Sequence, residues 1–183
     1  IAMMMSLSRN IPQATSSMKE GKWEKKKFMG RELTGKTLGV VGMGRIGGIA
    51  ASRGQGLKMK TIAYDPFLPK EIAEKIGVEL VDLIELAKRS DFITVHVPLT
   101  KETKNLLSTE FFSNMKESAM FIDCARGGVC DEEALYEVLS QNKIAGAALD
   151  VFAVEPTNND NCKLLALDNF ICTPHLGAST EEA

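Results

Sequence analysis

Two groups of residues in this chain have the types and spacing to do chemistry. In the first, Gly42, Gly44 and Gly47 follow an apolar run in VVGMGRIGG at the spacing G-x-G-x-x-G. Between a strand and a helix, the first glycine would make a tight turn, the second would let backbone approach a pyrophosphate, and the third would let helix and strand pack closely. A helix beginning near Arg45 would aim unpaired N–H groups and a partial positive charge at that anion. Three glycines alone are a weak signal. Their weight rises because the next apolar run, KTIAYD, ends in Asp65, 21 residues after Gly44, where a carboxylate would accept hydrogen bonds from ribose hydroxyls. The same charge would repel a 2′-phosphate, and DPFLP offers no Arg, so NAD is favoured over NADP. The second group is in the C-terminal half, where AMFID leads into CARGG, AALDV into FAVEP, and NFICTP into HLGAST. Arg126, Glu155 and His175 thus follow apolar runs closely, as ligand-facing residues of α/β sheets do, and are candidates to converge on one sheet edge.

The elements that must position these groups are legible as alternation. Short runs rich in Val, Ile and Phe at 37–41, 60–65, 78–81, 91–97, 119–123, 145–150 and 169–174 read as strands, several apolar at nearly every position. Amphipathic stretches separate them. In DEEALYEVLSQN, 131–142, Asp131 can cap, Glu132 and Glu133 suit the first turn, and Ala134, Leu135, Val138 and Leu139 form one stripe. VDLIELAKR, 81–89, is a second helix. The pattern predicts an α/β fold, a Rossmann-type, doubly wound, mainly parallel sheet with helices on both faces. Gly48, Gly54 and Gly56 each cost about 1 kcal/mol in a helix interior, so the helix after the glycine turn is expected to be short or loosely held. Pro12 is expected to break the N-terminal helix, leaving SSMKEGKWEKKKFMG as a polar connection; its lysines read as a solvated face, with a phosphate patch as the sharper alternative. NNDNC, 158–162, reads as an extended polar loop.

Composition narrows the function classes. The 183 residues suit one globular domain, with 44% hydrophobic residues to form its core. Twenty-two basic against 24 acidic residues give a net charge of -2, which leaves no broad positive field for nucleic acid or an anionic membrane. Cys124, Cys130, Cys162 and Cys172 form no CxxC pair and lack His at zinc-ligand spacing, so neither a metal site nor a disulfide framework is expected. With no apolar run near membrane-spanning length and no signal peptide, a cytoplasmic protein is the expectation.

RNIPQA, GKTLGVVGMGRIG, YDP, DFITVHVPLT, CARGG, AGAALDVFAVEP and PHLGAST stand in one order along the chain, and in these motifs it resembles the NAD-dependent D-isomer specific 2-hydroxyacid dehydrogenases. The resemblance implies that His175 is the general acid/base, that Glu155 pairs with its imidazole, and that Arg126 grips the substrate carboxylate and polarises its carbonyl. These types suit the tasks: imidazole titrates nearest neutrality, and guanidinium is a permanently charged planar fork. It assigns Arg45 and Ile46 to the pyrophosphate and Asp65 with Pro66 to the adenosine ribose. His96, Val97 and Pro98 would line the adenosine side. Cys124, Ala125 and Asp150 would lie along the nicotinamide half, Asp150 near the carboxamide, with Arg126, His175, Gly177 and Ala178 bordering the same ring. Blander roles exist beside these: His96 as a residue that merely closes a buried strand, Asp150 as the cap of its following turn, Glu155 as a surface residue before Pro156, and Cys124 as a small buried neighbour. The resemblance further implies a connecting helix over 1–18, an NAD-binding domain over 19–183, a substrate-binding domain outside this chain, and a homodimer formed through this domain. The implied reaction is oxidation of a D-2-hydroxy acid; HLGAST and RNIPQA favour 3-phospho-D-glycerate, giving 3-phosphohydroxypyruvate. An NAD-sensing protein like the corepressors that share this fold, or a glyoxylate or hydroxypyruvate reductase relative, is the alternative.

Overall fold

A computed structural model describes residues 1–182; the last residue of the expected 19–183 domain lies outside them. The elements run α1 (Ala2–Ser8), α2 (Ile11–Lys19), β1 (Thr37–Val41), α3 (Arg45–Gly56), β2 (Lys60–Tyr64), α4 (Lys70–Lys75), β3 (Glu79–Leu80), α5 (Leu83–Arg89), β4 (Phe92–Val95), α6 (Thr109–Ser113), β5 (Met120–Asp123), α7 (Glu132–Ser140), β6 (Gly146–Leu149) and β7 (Phe170–Cys172), with a 3-10 turn at Lys163–Ala166. Each run read as a strand contributes one, 37–41 over its full length and the others trimmed at one or both ends. All pair in parallel in one sheet of order β3-β2-β1-β4-β5-β6-β7.

Alternation along the strands divides the core. Ile93 and Val95 of β4 and Phe121 of β5 face Leu86, Phe111, Phe112, Leu135 and Leu139 from α5, α6 and α7. Phe92, Met120 and Ile122 face the other way, against Met4, Leu7, Ala51 and Ala73 of α1, α3 and α4. Both faces are therefore covered, as an all-parallel sheet requires. Phe112 packs edge-on against Phe111 and Phe121, with ring centroids 5.5 and 5.2 Å apart. In α7, Asp131 caps as expected, accepting N–H bonds from Glu133 and Ala134 at 3.1 Å, and its apolar stripe is buried.

Two expectations fail. The helix after the glycine turn is not short: α3 has 12 residues and is the longest helix among the described residues. Its glycines are where the sheet needs them. A Cβ on Gly47 would lie 1.9 Å from the Gly42 carbonyl oxygen and one on Gly54 2.5 Å from Leu38 Cδ2, so close packing on β1 offsets the low helix propensity. Nor does Pro12 break a helix. It stands in the first turn of α2, where its missing N–H costs nothing, and the turn between α1 and α2 is made by Asn10 at φ 52°.

Because the chain leaves β1 toward β2 and β3 and later returns to place β4 on β1's other side, the strand order reverses between β1 and β4. The crevice beyond the carboxyl ends at such a point is where doubly wound sheets bind ligands.

Candidate active site

The glycine turn sits at this switch point. Gly42 has φ 89°, which favours glycine, and a Cβ there would meet the His96 carbonyl oxygen at 2.8 Å and Val97 Cγ1 at 2.6 Å, so the turn nests on the exit from β4. Gly44, by contrast, faces open space. It precedes α3 with no side chain capping the helix, so the first N–H groups of α3, at Arg45, Ile46 and Gly47, begin at the crevice without a side-chain cap. Asp65 closes the crevice from β2. Its Oδ2 accepts the Met43 N–H at 2.7 Å, and Oδ1 accepts those of Phe67 at 2.8 Å and Leu68 at 3.2 Å. Three of a carboxylate's roughly four lone-pair directions are thus used, leaving one on Oδ2 for an outside hydroxyl. Pro66 is exposed beside it.

His96, Val97 and Pro98 follow β4. The His96 ring lies within 3.0 Å of Thr94 Oγ1 through Nε2, and burial pulls its pKa down to about 4, so the ring is neutral at physiological pH. At the end of β5, Asp123 Oδ1 accepts the Ala125 N–H at 2.8 Å and bends the chain into the Arg126 loop. Burial pushes the Asp123 carboxyl up to about 7. Burial likewise raises the Cys124 thiol to about 11, which keeps it protonated and unreactive.

Three side chains gather at the far end of the same edge. His175 Nδ1 is 2.9 Å from Glu155 Oε2, and since a carboxylate only accepts, Nδ1 carries the proton. The hydrogen bond from His175 holds Glu155 below the usual carboxylate range, with the Phe152 N–H at 2.9 Å and the nearby charge of Arg126 acting in the same direction. Arg126 is tied back to its own loop by Nη1 donating to the Ala125 carbonyl at 2.7 Å. The His175 and Glu155 side chains remain 48% and 38% exposed, open to a reactant. A pocket of about 570 Å³ opens beside the pair, walled by Phe152, Pro156, Leu165 and Pro174.

His175 stands at φ 57°, a left-handed conformation that costs a non-glycine residue on the order of 1–3 kcal/mol. The buried Asp150 holds it there. One of its oxygens accepts the Thr173 hydroxyl at 2.5 Å and the Leu176 N–H at 2.7 Å, and the other accepts the Gly177 N–H at 2.7 Å. The reading of Asp150 as the cap of its own following turn is therefore replaced: its carboxylate clamps residues 23 to 27 positions onward. Gly177 and Ala178 are exposed on that clamped loop. Sequence reasoning overlooked Thr173 and the packing of Gly127, where a Cβ would lie 1.8 Å from the Phe152 carbonyl oxygen. A second glycine beside a candidate Arg was the available signal.

A doubly wound parallel sheet with a glycine turn at its switch point and an acidic residue closing the second strand is a dinucleotide-binding domain. The chain belongs to the D-isomer specific 2-hydroxyacid dehydrogenases, whose NAD binding domain matches residues 1–177. It is 55% identical over 184 residues to the D-3-phosphoglycerate dehydrogenase of Methanocaldococcus jannaschii, a match over 100% of this chain and 35% of that one. It is 50% identical to the hydroxypyruvate reductase of Thermotoga maritima, covering 100% of this chain and 59% of the relative. Among solved structures, D-lactate dehydrogenase from Aquifex aeolicus complexed with NAD and lactic acid superposes with a TM-score of 0.88 at 35% identity, over 99% of this chain and 59% of that one. The chain spans about a third of the length of the phosphoglycerate dehydrogenases it matches.

Proposed function

We propose that this chain is the cofactor-binding part of an enzyme that oxidises 3-phospho-D-glycerate to 3-phosphohydroxypyruvate with NAD. The observation that carries this reading is the His175–Glu155 pair, with Arg126 beside it, on the sheet edge that also holds the glycine turn. The crevice suits NAD: free N–H groups at the start of α3 for the pyrophosphate, with Arg45 and Ile46 alongside, and one open lone pair on Asp65 for a ribose hydroxyl. Pro66, His96, Val97 and Pro98 border the adenosine, and Cys124, Ala125, Asp150, Gly177 and Ala178 the nicotinamide.

Bound NAD supplies the acceptor for the hydride that leaves the substrate's C2. Arg126 grips the substrate carboxylate with its planar fork and draws electron density from the forming carbonyl. His175, whose Nδ1–H is committed to Glu155, takes the hydroxyl proton on Nε2 as the hydride departs. Glu155 stabilises the imidazolium formed. The same reading includes a homodimer joined by a second copy of this domain, supported by Trp23 and Met29, which are 80% and 84% exposed; sedimentation velocity checks it. It also places the protein in the cytoplasm, supported by four cysteines that are all unpaired.

The test is turnover by the full-length protein. It is expected to reduce NAD with 3-phosphoglycerate, and His175→Ala to lower kcat by at least about 100-fold, the scale for losing an acid/base. Wild-type turnover in that variant would remove His175 from the mechanism.

A further inference from the structure

The first turn of α7 carries a carboxylate whose charge suits the helix dipole but whose hydrogen bond leaves the helix. Asp131 already caps the helix, and Glu133 pairs with Lys163 at 2.8 Å. Glu132, between them, accepts the N–H of Ala153, 21 residues onward, at 2.5 Å. Ala153 belongs to the turn that delivers Glu155: the neighbouring Phe152 N–H donates to Glu155 Oε1 at 2.9 Å, and Glu155 Oε2 receives the His175 imidazole at 2.9 Å. The same turn is pressed from its other side by Gly127, whose missing Cβ would lie 1.8 Å from the Phe152 carbonyl oxygen and 2.8 Å from the Ala153 nitrogen.

The turn is therefore gripped between the backbone of the Arg126 loop and the Glu132 carboxylate. We infer that Glu132 is a positioning residue: by holding the Ala153 N–H it fixes the Phe152–Glu155 turn against Gly127, so that Glu155 meets His175 Nδ1 with Arg126 alongside. This inference rests on the proposed role of the His175–Glu155 pair. The arrangement works against Glu132's own preference. It is half-buried, and burial raises its pKa, with the acidic neighbours Asp131 and Glu155 adding to the effect. A favourable place in the first turn would be met by an exposed carboxylate; what the dipole leaves unexplained is its half-burial, and the bond to the turn supplies the reason.

The chain has two histidines, so each imidazole is resolved in a nitrogen-15 NMR spectrum. The experiment records the neutral-ring tautomers of this chain at alkaline pH for wild type, Glu132→Gln, Glu132→Ala and Glu132→Asp, with His96 as internal reference and thermal melting as the check on folding. In wild type, His175 is expected mainly in its Nδ1–H form. Gln keeps an acceptor of the same reach and retains that form. Ala has no acceptor and Asp is one methylene short, so both are expected to raise the Nε2–H fraction of His175 at least about threefold while His96 stays unchanged. A wild-type His175 spectrum in the Asp and Ala variants would overturn the inference, as would the loss of the Nδ1–H form in Gln. If Ala does not fold, the milder Asp variant decides. Failure of the full-length protein to turn over 3-phosphoglycerate would sink the proposed function without moving these tautomers, so the two failures are separable.

Discussion

Gly47→Ala tests the packing that makes the cofactor crevice. In an ordinary helix this substitution stabilises by about 1 kcal/mol. Here the new Cβ would sit 1.9 Å from the Gly42 carbonyl oxygen, a distance that must open to at least 3.0 Å, so backbone has to move by 3.0 − 1.9 = 1.1 Å. Gly42 is poorly placed to yield: its N–H is bonded to the Tyr64 carbonyl at 2.9 Å, and its own α-carbon lies against the His96 backbone. The start of α3 must therefore withdraw from the turn. Overpacking of this kind costs about 3 kcal/mol at the upper end of its usual range, which the propensity gain reduces to a net loss of about 2 kcal/mol. For a chain of this size that lowers Tm by roughly 4–8 °C. The next residue is the control. A Cβ on Gly48 meets nothing within 4 Å, so Gly48→Ala is expected to raise Tm by roughly 2–4 °C. Calorimetric titration with NAD completes the assay: displacement of the α3 N–H groups in Gly47→Ala should weaken binding at least about tenfold, or 1.4 kcal/mol. Equal Tm shifts for the two variants, or wild-type NAD affinity in Gly47→Ala, would refute the reasoning.

Asp65→Ala should weaken NAD by about tenfold or more and NADP much less, because the carboxylate proposed to accept a ribose hydroxyl would also repel a 2′-phosphate; titration with both cofactors checks this, and equal losses would end the proposed preference. Asp123 gives a pH signature. Its folded-state pKa of about 7 is above the ordinary 3.8, so its contribution is fully present below pH 3.8 and is lost as pH rises through 7, a change on the order of 4 kcal/mol. Asp123→Asn, which keeps an acceptor for the Ala125 N–H without the charge, should melt above wild type at pH 8 and close to it at pH 4; a lower Tm at pH 8 would contradict the burial argument.

What the sequence made legible follows from the geometry of parallel sheets. When every strand runs the same way, every residue just after a strand lies on one edge, so the placement of Asp65, His96, Arg126, Asp150 and His175 on that edge required only that seven apolar runs be recognised. The Asp131 cap was equally legible, because a cap acts within three residues. Distances across the edge were not legible. Asp150 reaches Thr173, Leu176 and Gly177, and Glu132 reaches Ala153, through contacts that span 21 to 27 residues and obey neither helical nor strand period. The length of α3 escaped for a related reason. Propensity scores a glycine against a solvated helix, whereas Gly47 and Gly54 are scored by what stands opposite, the Gly42 carbonyl and Leu38. Local rules identified which residues share an edge, and the long-range clamps decide which of them touch. The Asp150 clamp holds His175 in its left-handed conformation, and the Glu132 clamp holds the turn that brings Glu155 to it. The His175–Glu155 pair is thus held by two carboxylates that do not touch it, and the chemistry proposed for the imidazole depends on both.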